Sequence, residues 1–291
     1  MADITKAVSA NDIKNGTSVT GVDGTGNIQA HFDAAKDSNS PSLSDIENKY
    51  STRFDDTTYY SSRGLARSLR GYYELDELSG TRVDSQGGID LTDNNTTGYV
   101  SGVSSAVGNA ASFIRSNLEY LSVDNSSIDF LSPGDSSFSI AFWHQRVTLD
   151  IVANQHLCGI WKGSGGNKEY LIRWQGGSSQ FRFYTSANGS SISYLGSNSV
   201  LGDPPNSWYH LVFCHDADND QRLIYVDGVL DASDSYSSGI YQGSGDFNIG
   251  RTQESSNYVS GAIDEWGMWD RVLTADDVSS LYNAGDGLKV I

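Results

Sequence analysis

Apolar residues in this chain fall in short runs broken by polar turns. Between residues 137 and 196 the runs FSIAFWHQ, HLCGIWK, EYLIRWQ, QFRFYT and SISYLG follow one another at about ten-residue spacing, divided by GSGGNK, GGSS and SANGS. A second group, WYHLVFC, RLIYVDG and YVSGAIDEWGMW, reaches from Trp208 to Trp269. Branched and aromatic residues dominate each run, as suits strands on a pleated, half-buried surface. Alternation puts Tyr170, Ile172 and Trp174 on one face of their strand, and Phe181 and Phe183 on one face of the next, which supplies the core of a two-layer sandwich. Asp216 to Gln221 has room only for a hairpin turn and Asp227-Gly228 makes a second, so two consecutive hairpins predict an antiparallel meander. Upstream, GYYELDEL predicts a first strand, DSQGG a turn and IDLT a second strand. At the far end Thr274 is a good N-cap, Asp276 and Asp277 suit the first turn, and Gly285 after LYNA stops a single short helix. The fold class expected is all-β: a two-layer antiparallel β-sandwich with a short C-terminal helix.

Residues 1–66 read differently. They are rich in Gly, Ser and Asp, with scattered apolar positions such as Ile13, Val19, Val22 and Ile28, too few for a core of their own. The expected organisation is therefore a small irregular N-terminal anchor or linker over 1–66 and one sandwich domain over 67–291. Ser44 and Glu47 have capping-box spacing for one short helix. Arg63, Arg67 and Arg70 form the densest basic cluster, read either as a solvated connector or as a dock for an acidic partner.

Composition narrows the function classes. The 291 residues hold 37% apolar residues, 31 Gly, 16 Tyr and only 4 Pro, the profile of strands and tight turns. With 19 Lys plus Arg against 36 Asp plus Glu, the net charge of −17 opposes binding to nucleic acid or an anionic membrane and suits cations. Cys158 and Cys214 sit inside apolar runs, where buried free thiols are favoured over a disulfide. No stretch approaches the roughly 18 apolar residues of a membrane span. MADITKAVSANDIK lacks a charged start followed by an apolar core, so the expectation is synthesis in a cytoplasm without a secretory leader.

The order WYHLVF, LIYVDG, FNIGR, GAIDEW, DRVLTADDVSSLYNAG resembles the C-terminal half of a laminin-G-like, concanavalin-A-type jelly roll. GYYELDELSGTRVDSQGG is similar to that family's opening, and ASFIRSNLEYLSV with SSFSIAFWHQRV to its early core strands, so the resemblance covers about residues 68–288. Such a fold hosts lectins, hydrolases and structural modules alike. The resemblance implies one structural Ca2+ held by the Asp84 and Asp264 carboxylates and by a Gly87 or Gly88 carbonyl oxygen, at about 2.4 Å. The alternative is that Asp84 caps its turn and Asp264 bonds backbone amides. Asp216, Asp218 and Asp220 alternate like a calcium loop, but Gln221 stands where that loop needs glycine, which favours a hairpin turn. DIKNGTSVTGVDGTGNI resembles a short Gly-Thr module of tailed-phage structural proteins, which implies attachment to capsid or tail proteins; a flexible polar leader is the other reading.

Trp161, Trp174, Tyr184, Tyr194, Tyr236, Tyr241 and Tyr258 lie at strand ends or in polar loops, where aromatic faces can stack on sugar rings while neighbouring amides and carboxylates bond hydroxyls. Catalysis is not expected. Glucanases of this fold use an acid and a nucleophile about 5 Å apart on one strand face. In Glu74-Leu-Asp76-Glu77 the last carboxylate points to the opposite face, and Asp264-Glu265 and Asp270 fail likewise. His210 and His215, five apart on one strand, lie on opposite faces. The reading reached from sequence is a non-enzymatic bacteriophage structural or decoration protein on the virion surface, whose lectin-like jelly roll meets a cell-surface glycan. A homotrimer would suit a fibre or a capsid threefold. A cellular carbohydrate-binding adhesin and, behind it, a glycoside hydrolase are the alternatives.

Overall fold

The computed structural model describes residues 64–291 apart from residues 106, 147–152, 200–205 and 254. The expected helix at Ser44 to Glu47 and the anchor positions Ile13, Val19, Val22, Ile28 and Arg63 lie outside the described residues. Fifteen described strands follow in order: β1 (Leu69–Tyr73), β2 (Thr92–Asn94), β3 (Gly98–Ser101), β4 (Asn109–Phe113), β5 (Tyr120–Val123), β6 (Phe138–Arg146), β7 (Gln155–Trp161), β8 (Lys168–Gln175), β9 (Gln180–Gly189), β10 (Ser193–Gly196), β11 (Trp208–Asp216), β12 (Gln221–Val226), β13 (Val229–Ser235), β14 (Phe247–Ile249) and β15 (Gly261–Trp269); helix α1 (Ala275–Tyr282) comes last.

The strands make two antiparallel sheets. One runs β13-β12-β11-β6-β15-β4-β3, with β1 beside the C-terminal part of β15 as its eighth strand; the other, of seven strands, runs β10-β9-β8-β7-β14-β5-β2. Between them lie Tyr170, Ile172, Trp174, Phe181 and Phe183 from one sheet and Phe138, Phe142, Phe213 and Trp266 from the other. The alternation read from EYLIRWQ and QFRFYT therefore holds. Each such side chain contributes about 1.5–3 kcal/mol by leaving water. Cys158 and Cys214 are free and buried, one in each sheet. Burial pushes the Cys158 thiol up to about 12 and that of Cys214 to about 11, so neither is a nucleophile.

The meander forms as expected. Asp216 pairs with Gln221 across the first turn, where Asp216 Oδ1 accepts from Asn219 N at 3.1 Å, so the D-x-D-x-D stretch is a hairpin turn. At the second turn Asp227 (φ 49°) and Gly228 (φ 82°) are both left-handed, the conformation that matches the twist of the flanking strands. The second strand departs from expectation. Ile89 N donates to Asp84 Oδ2 and Asp84 N to Asp90 Oδ1, so most of IDLT closes the preceding turn and β2 begins only at Thr92.

Helix α1 opens with a capping box, Asp277 N donating to Thr274 Oγ1 at 3.2 Å and Thr274 N to Asp277 Oδ2 at 2.9 Å. It ends two residues earlier than Gly285 suggests. Asn283 takes the left-handed position (φ 47°) and Gly285 lies in the 3-10 turn that follows, because Asn tolerates that conformation better than other non-glycine residues. Thr274→Ala is expected to destabilise the domain by about 1 kcal/mol in urea unfolding. Val278 and Leu281 of α1, with Leu65, Leu69 and Val290, pack onto Ala141, Val212, Tyr225 and Trp269, covering the outer face of the eight-stranded sheet.

Candidate functional site

The outer face of the seven-stranded sheet is built from side chains packed on one another. Because Ile160, Tyr170, Ile172, Phe181, Phe183, Phe247 and Ile249 point into the core, their strand neighbours point out. Trp161, Leu171 and Tyr184 form a separate buried cluster there. Register then arranges the face in rows. Thr92, Ser122, Asn248, Gly159, Leu171, Tyr184 and Tyr194 are successive cross-strand partners across all seven strands. Alongside it runs a basic row, His156, Arg173, Arg182 and Gly196. On the far side of the aromatic row Trp161 pairs with Lys168, and Lys168 with Gly189. Rows on one face lie about 7 Å apart.

Glycine shapes the floor. A Cβ on Gly159 would stand 2.3 Å from the Tyr170 carbonyl oxygen, so between Leu171 and Asn248 the row carries no side chain. The aromatic end rises from that floor: Tyr184 and Tyr194 are tilted rings 5.1 Å apart, Trp161 meets Tyr184 edge-on at 6.1 Å, and Tyr194 is 49% exposed.

Cations sit on these rings. The Arg182 guanidinium lies 4.4 Å from the Tyr194 centroid, Arg173 5.4 Å from Tyr184 and Lys168 6.0 Å from Trp161. Further along the face Arg251 lies 3.8 Å from the Tyr120 centroid and donates to Tyr258 Oη at 2.7 Å. Among the described residues none of these four pairs with a carboxylate. No residue of the three rows is acidic.

Beside Trp161 a cavity of about 220 Å³ is lined by His156, Thr252, Gln253, Ser255, Ser256 and Asn257. Asn257 Nδ2 faces His156 Nε2 at 3.2 Å and Thr252 Oγ1 faces Nδ1 at 2.6 Å; with the amide donating to Nε2, the ring proton stays on Nδ1. Burial, then the charge of Arg173, lowers His156 to about 3. The imidazole is therefore a neutral wall of the cavity across the physiological range.

Residues 116–279 match the model of the concanavalin A-like lectin/glucanases superfamily. The chain belongs to this superfamily. Within it, the sandwich described above covers 73% of this chain when superposed on domain 4 of AbnA, an extracellular arabinanase from Geobacillus stearothermophilus in complex with arabinotriose, with TM-score 0.52, 19% identity and 97% of that chain covered. The binding domain of Paraclostridial Mosquitocidal Protein 1 superposes with TM-score 0.58, 14% identity, 76% of this chain and 53% of that one. Botulinum neurotoxin type C, whose cell entry is dependent upon interaction with two ganglioside molecules, superposes with TM-score 0.56, 17% identity, 76% of this chain and 52% of that one. In sequence, human adhesion G-protein coupled receptor D1 is 29% identical over 167 residues, half of this chain but 19% of the receptor. No described helix is long and apolar enough to cross a membrane.

Of the aromatic residues picked from sequence, the structure brings Trp161, Tyr184 and Tyr194 together, and joins Tyr258 to Arg251 and Tyr120. Two are corrections. Trp174 is 1% exposed and faces inward, against Phe181 at 5.1 Å and under the Arg146 guanidinium at 4.4 Å, because it alternates in phase with Tyr170 and Ile172. Tyr236 is buried beneath Arg222. Tyr241 stands at the rim, its amide donating to Ser186 O. Arg70 forms an exposed pair with Asp270 at 3.2 Å, and Arg67 is exposed.

The hydrogen bonds of Asp84 and Asp264 do not fit the calcium that the resemblance implied there. Asp84 Oδ1 accepts from the backbone amides of Tyr72 (2.9 Å), Gln86 (3.1 Å) and Gly87 (2.9 Å), and Oδ2 from Ile89 (3.1 Å). Four N–H groups aimed at one carboxylate leave a cation no approach without stranding buried amides. Asp84 thus caps its turn, with Gly88 (φ 75°) in the left-handed position that closes it. Asp264 borders a β-bulge of β15 where Glu265 and Trp266 oppose the single Phe142 of β6. Its Oδ1 accepts from Glu265 N at 2.9 Å; its Oδ2 and both Glu265 oxygens are buried with no hydrogen-bond partner among the described residues. Burial raises both carboxyls to about 8, the charge of Asp76 adding to the Asp264 shift and Lys289 opposing both, so at neutral pH they are held as neutral acids. Glu74 and Asp76 are each bonded at 2.6 Å to Lys289.

The residues that sequence reading missed are Lys168, Arg173, Arg182 and Arg251. The signal was present: if Ile172 and Phe183 face in, Arg173 and Arg182 must face out beside Tyr184.

Proposed function

We propose that this domain is a non-catalytic carbohydrate-binding module whose saccharide lies along the outer face of the seven-stranded sheet. The aromatic row ending at Tyr194 carries this reading. Tyr194, 49% exposed and backed by the buried Tyr184 and Trp161, offers apolar area, Gly159 leaves a flat floor, and Ser122 and the cavity lined by Gln253, Ser255, Ser256 and Asn257 offer the amides and hydroxyls that fix sugar hydroxyls. The non-catalytic part rests on the carboxylates: Glu74 and Asp76 are neutralised by Lys289, while Asp264 and Glu265 are buried neighbours at a bulge, away from any such row.

The test is a glycan array probed with the full-length chain and with Tyr194→Ala. At least one saccharide is expected to bind, and the variant to bind about tenfold more weakly. A chain that binds no saccharide, or a variant that binds as well as the parent, would sink the reading.

We further propose that residues 1–66 attach the module to capsid or tail proteins of a virion, supported by the phage-like Gly-Thr segment around Gly16 to Gly26. Immunogold labelling of particles purified from the source tests this, and unlabelled particles would remove it. The 29% identity to an adhesion receptor favours a second placement, as an adhesion module at a cell surface.

A further inference from the structure

Arg173 and Arg182 break a rule of sheet construction. They are direct cross-strand partners on one face, where like charges repel, and His156 continues the row in place of a carboxylate. In a chain with 36 acidic residues against 19 basic ones, this pair of arginines has no acid in its row. Each guanidinium is also held in place. Arg182 is stacked on Tyr194 and donates to Tyr184 Oη at 3.2 Å and Ser178 Oγ at 3.3 Å; Arg173 is stacked on Tyr184 and donates to Gln175 Oε1. Their Nε atoms have no hydrogen-bond partner among the described residues. Burial holds Arg173 below its ordinary value, opposed by Tyr184 and helped by the charge of Arg182.

We infer that the saccharide bound along this face is acidic, its units carrying carboxylates that Arg173 and Arg182 receive beside the Tyr184–Tyr194 rings. The inference rests on the carbohydrate-binding reading and narrows it. A planar guanidinium presents five N–H donors in a fork that matches a carboxylate, and stacking on tyrosine has already restricted its rotation. Tyr194, exposed in the neighbouring row about 7 Å away, would take the apolar face of the same or the next sugar unit. An anion there would also relieve the repulsion between the two arginines. An acidic polypeptide would satisfy the cations but would leave the aromatic row and the hydroxyl-lined cavity without their complement.

The experiment compares polygalacturonate with its fully methyl-esterified form, which keeps the sugar backbone and removes the charge, by calorimetric titration of the full-length chain in about 0.15 M salt. Polygalacturonate is expected to bind at least about tenfold more tightly than the ester. Arg173→Gln and Arg182→Gln should each erase that preference while leaving near-ultraviolet circular dichroism unchanged. Arg182→Lys, which keeps the charge but loses the fork, should restore only part of it. If the ester binds as well as the acid and Tyr194→Ala abolishes both, the site is a glycan site and the acidic inference is wrong. Equal binding of poly-L-glutamate would overturn it in favour of an acidic peptide surface. If neither polymer binds while the array finds a neutral saccharide, the inference falls and the broader reading stands.

Discussion

Replacing Asp264 and Glu265 together by Asn and Gln is expected to stabilise the domain by several kcal/mol at pH 8 and to change it little near pH 4. Both carboxyls are buried at the β15 bulge and hold their protons up to about pH 8, whereas in the unfolded chain they ionise near 4. Between those values the folded state binds more protons than the unfolded state, so stability falls as pH rises, by up to about 1.4 kcal/mol per pH unit for each group. Below about pH 4 both states are protonated and the contribution vanishes; above about pH 8 both are ionised and the loss is complete. The amides cannot ionise, so the variant should show a flatter profile. Urea midpoints measured from pH 4 to 9 decide the matter, and parallel profiles for variant and parent would refute it. Such a stabilising change at a bulge with Glu265 in the left-handed region (φ 50°) is consistent with a local arrangement kept for shape rather than stability.

Asp84→Ala should have the opposite effect, a loss of about 3–5 kcal/mol, because it strands four backbone amides that now share one buried carboxylate. Asp84→Asn, which keeps one accepting oxygen, should lose less. Adding EDTA to the parent protein should leave its melting temperature unchanged, since N–H donors and not a cation complete this carboxylate. A melting temperature that drops with EDTA and recovers with Ca2+ would return Asp84 to the role first read for it.

Asp84 and Trp174 depart from their sequence expectations for related reasons. An Asp in an Asp-x-x-Gly-Gly loop serves equally as a metal ligand or as a cap, and only the positions of the Tyr72 and Ile89 amides decide which. Trp174 reads as a strand-end aromatic when taken alone, yet its phase with Tyr170 and Ile172 commits it to the core. The helix end shows the same limit on a smaller scale, since Asn283 and Gly285 both accept a left-handed turn and the helix stops at the nearer. By contrast, the opposite placement of His210 and His215 follows from backbone period alone. His210 packs on Trp143 and Tyr282 at the outer face, and His215 meets Phe138 and pairs with Asp135.

What the sequence determined by itself was local. Alternation sets which side chains of a strand are buried, turn residues such as Asp227-Gly228 set where the chain reverses, and Thr274 with Asp277 sets where the helix begins; each depends on neighbours within a few residues. Tertiary structure alone decided which strands lie side by side, and so which outward residues meet. Arg173 and Arg182 are nine positions apart, and Asn248 joins their sheet from a distant part of the chain. Only the pairing register turns these separate outward positions into a basic row beside an aromatic one.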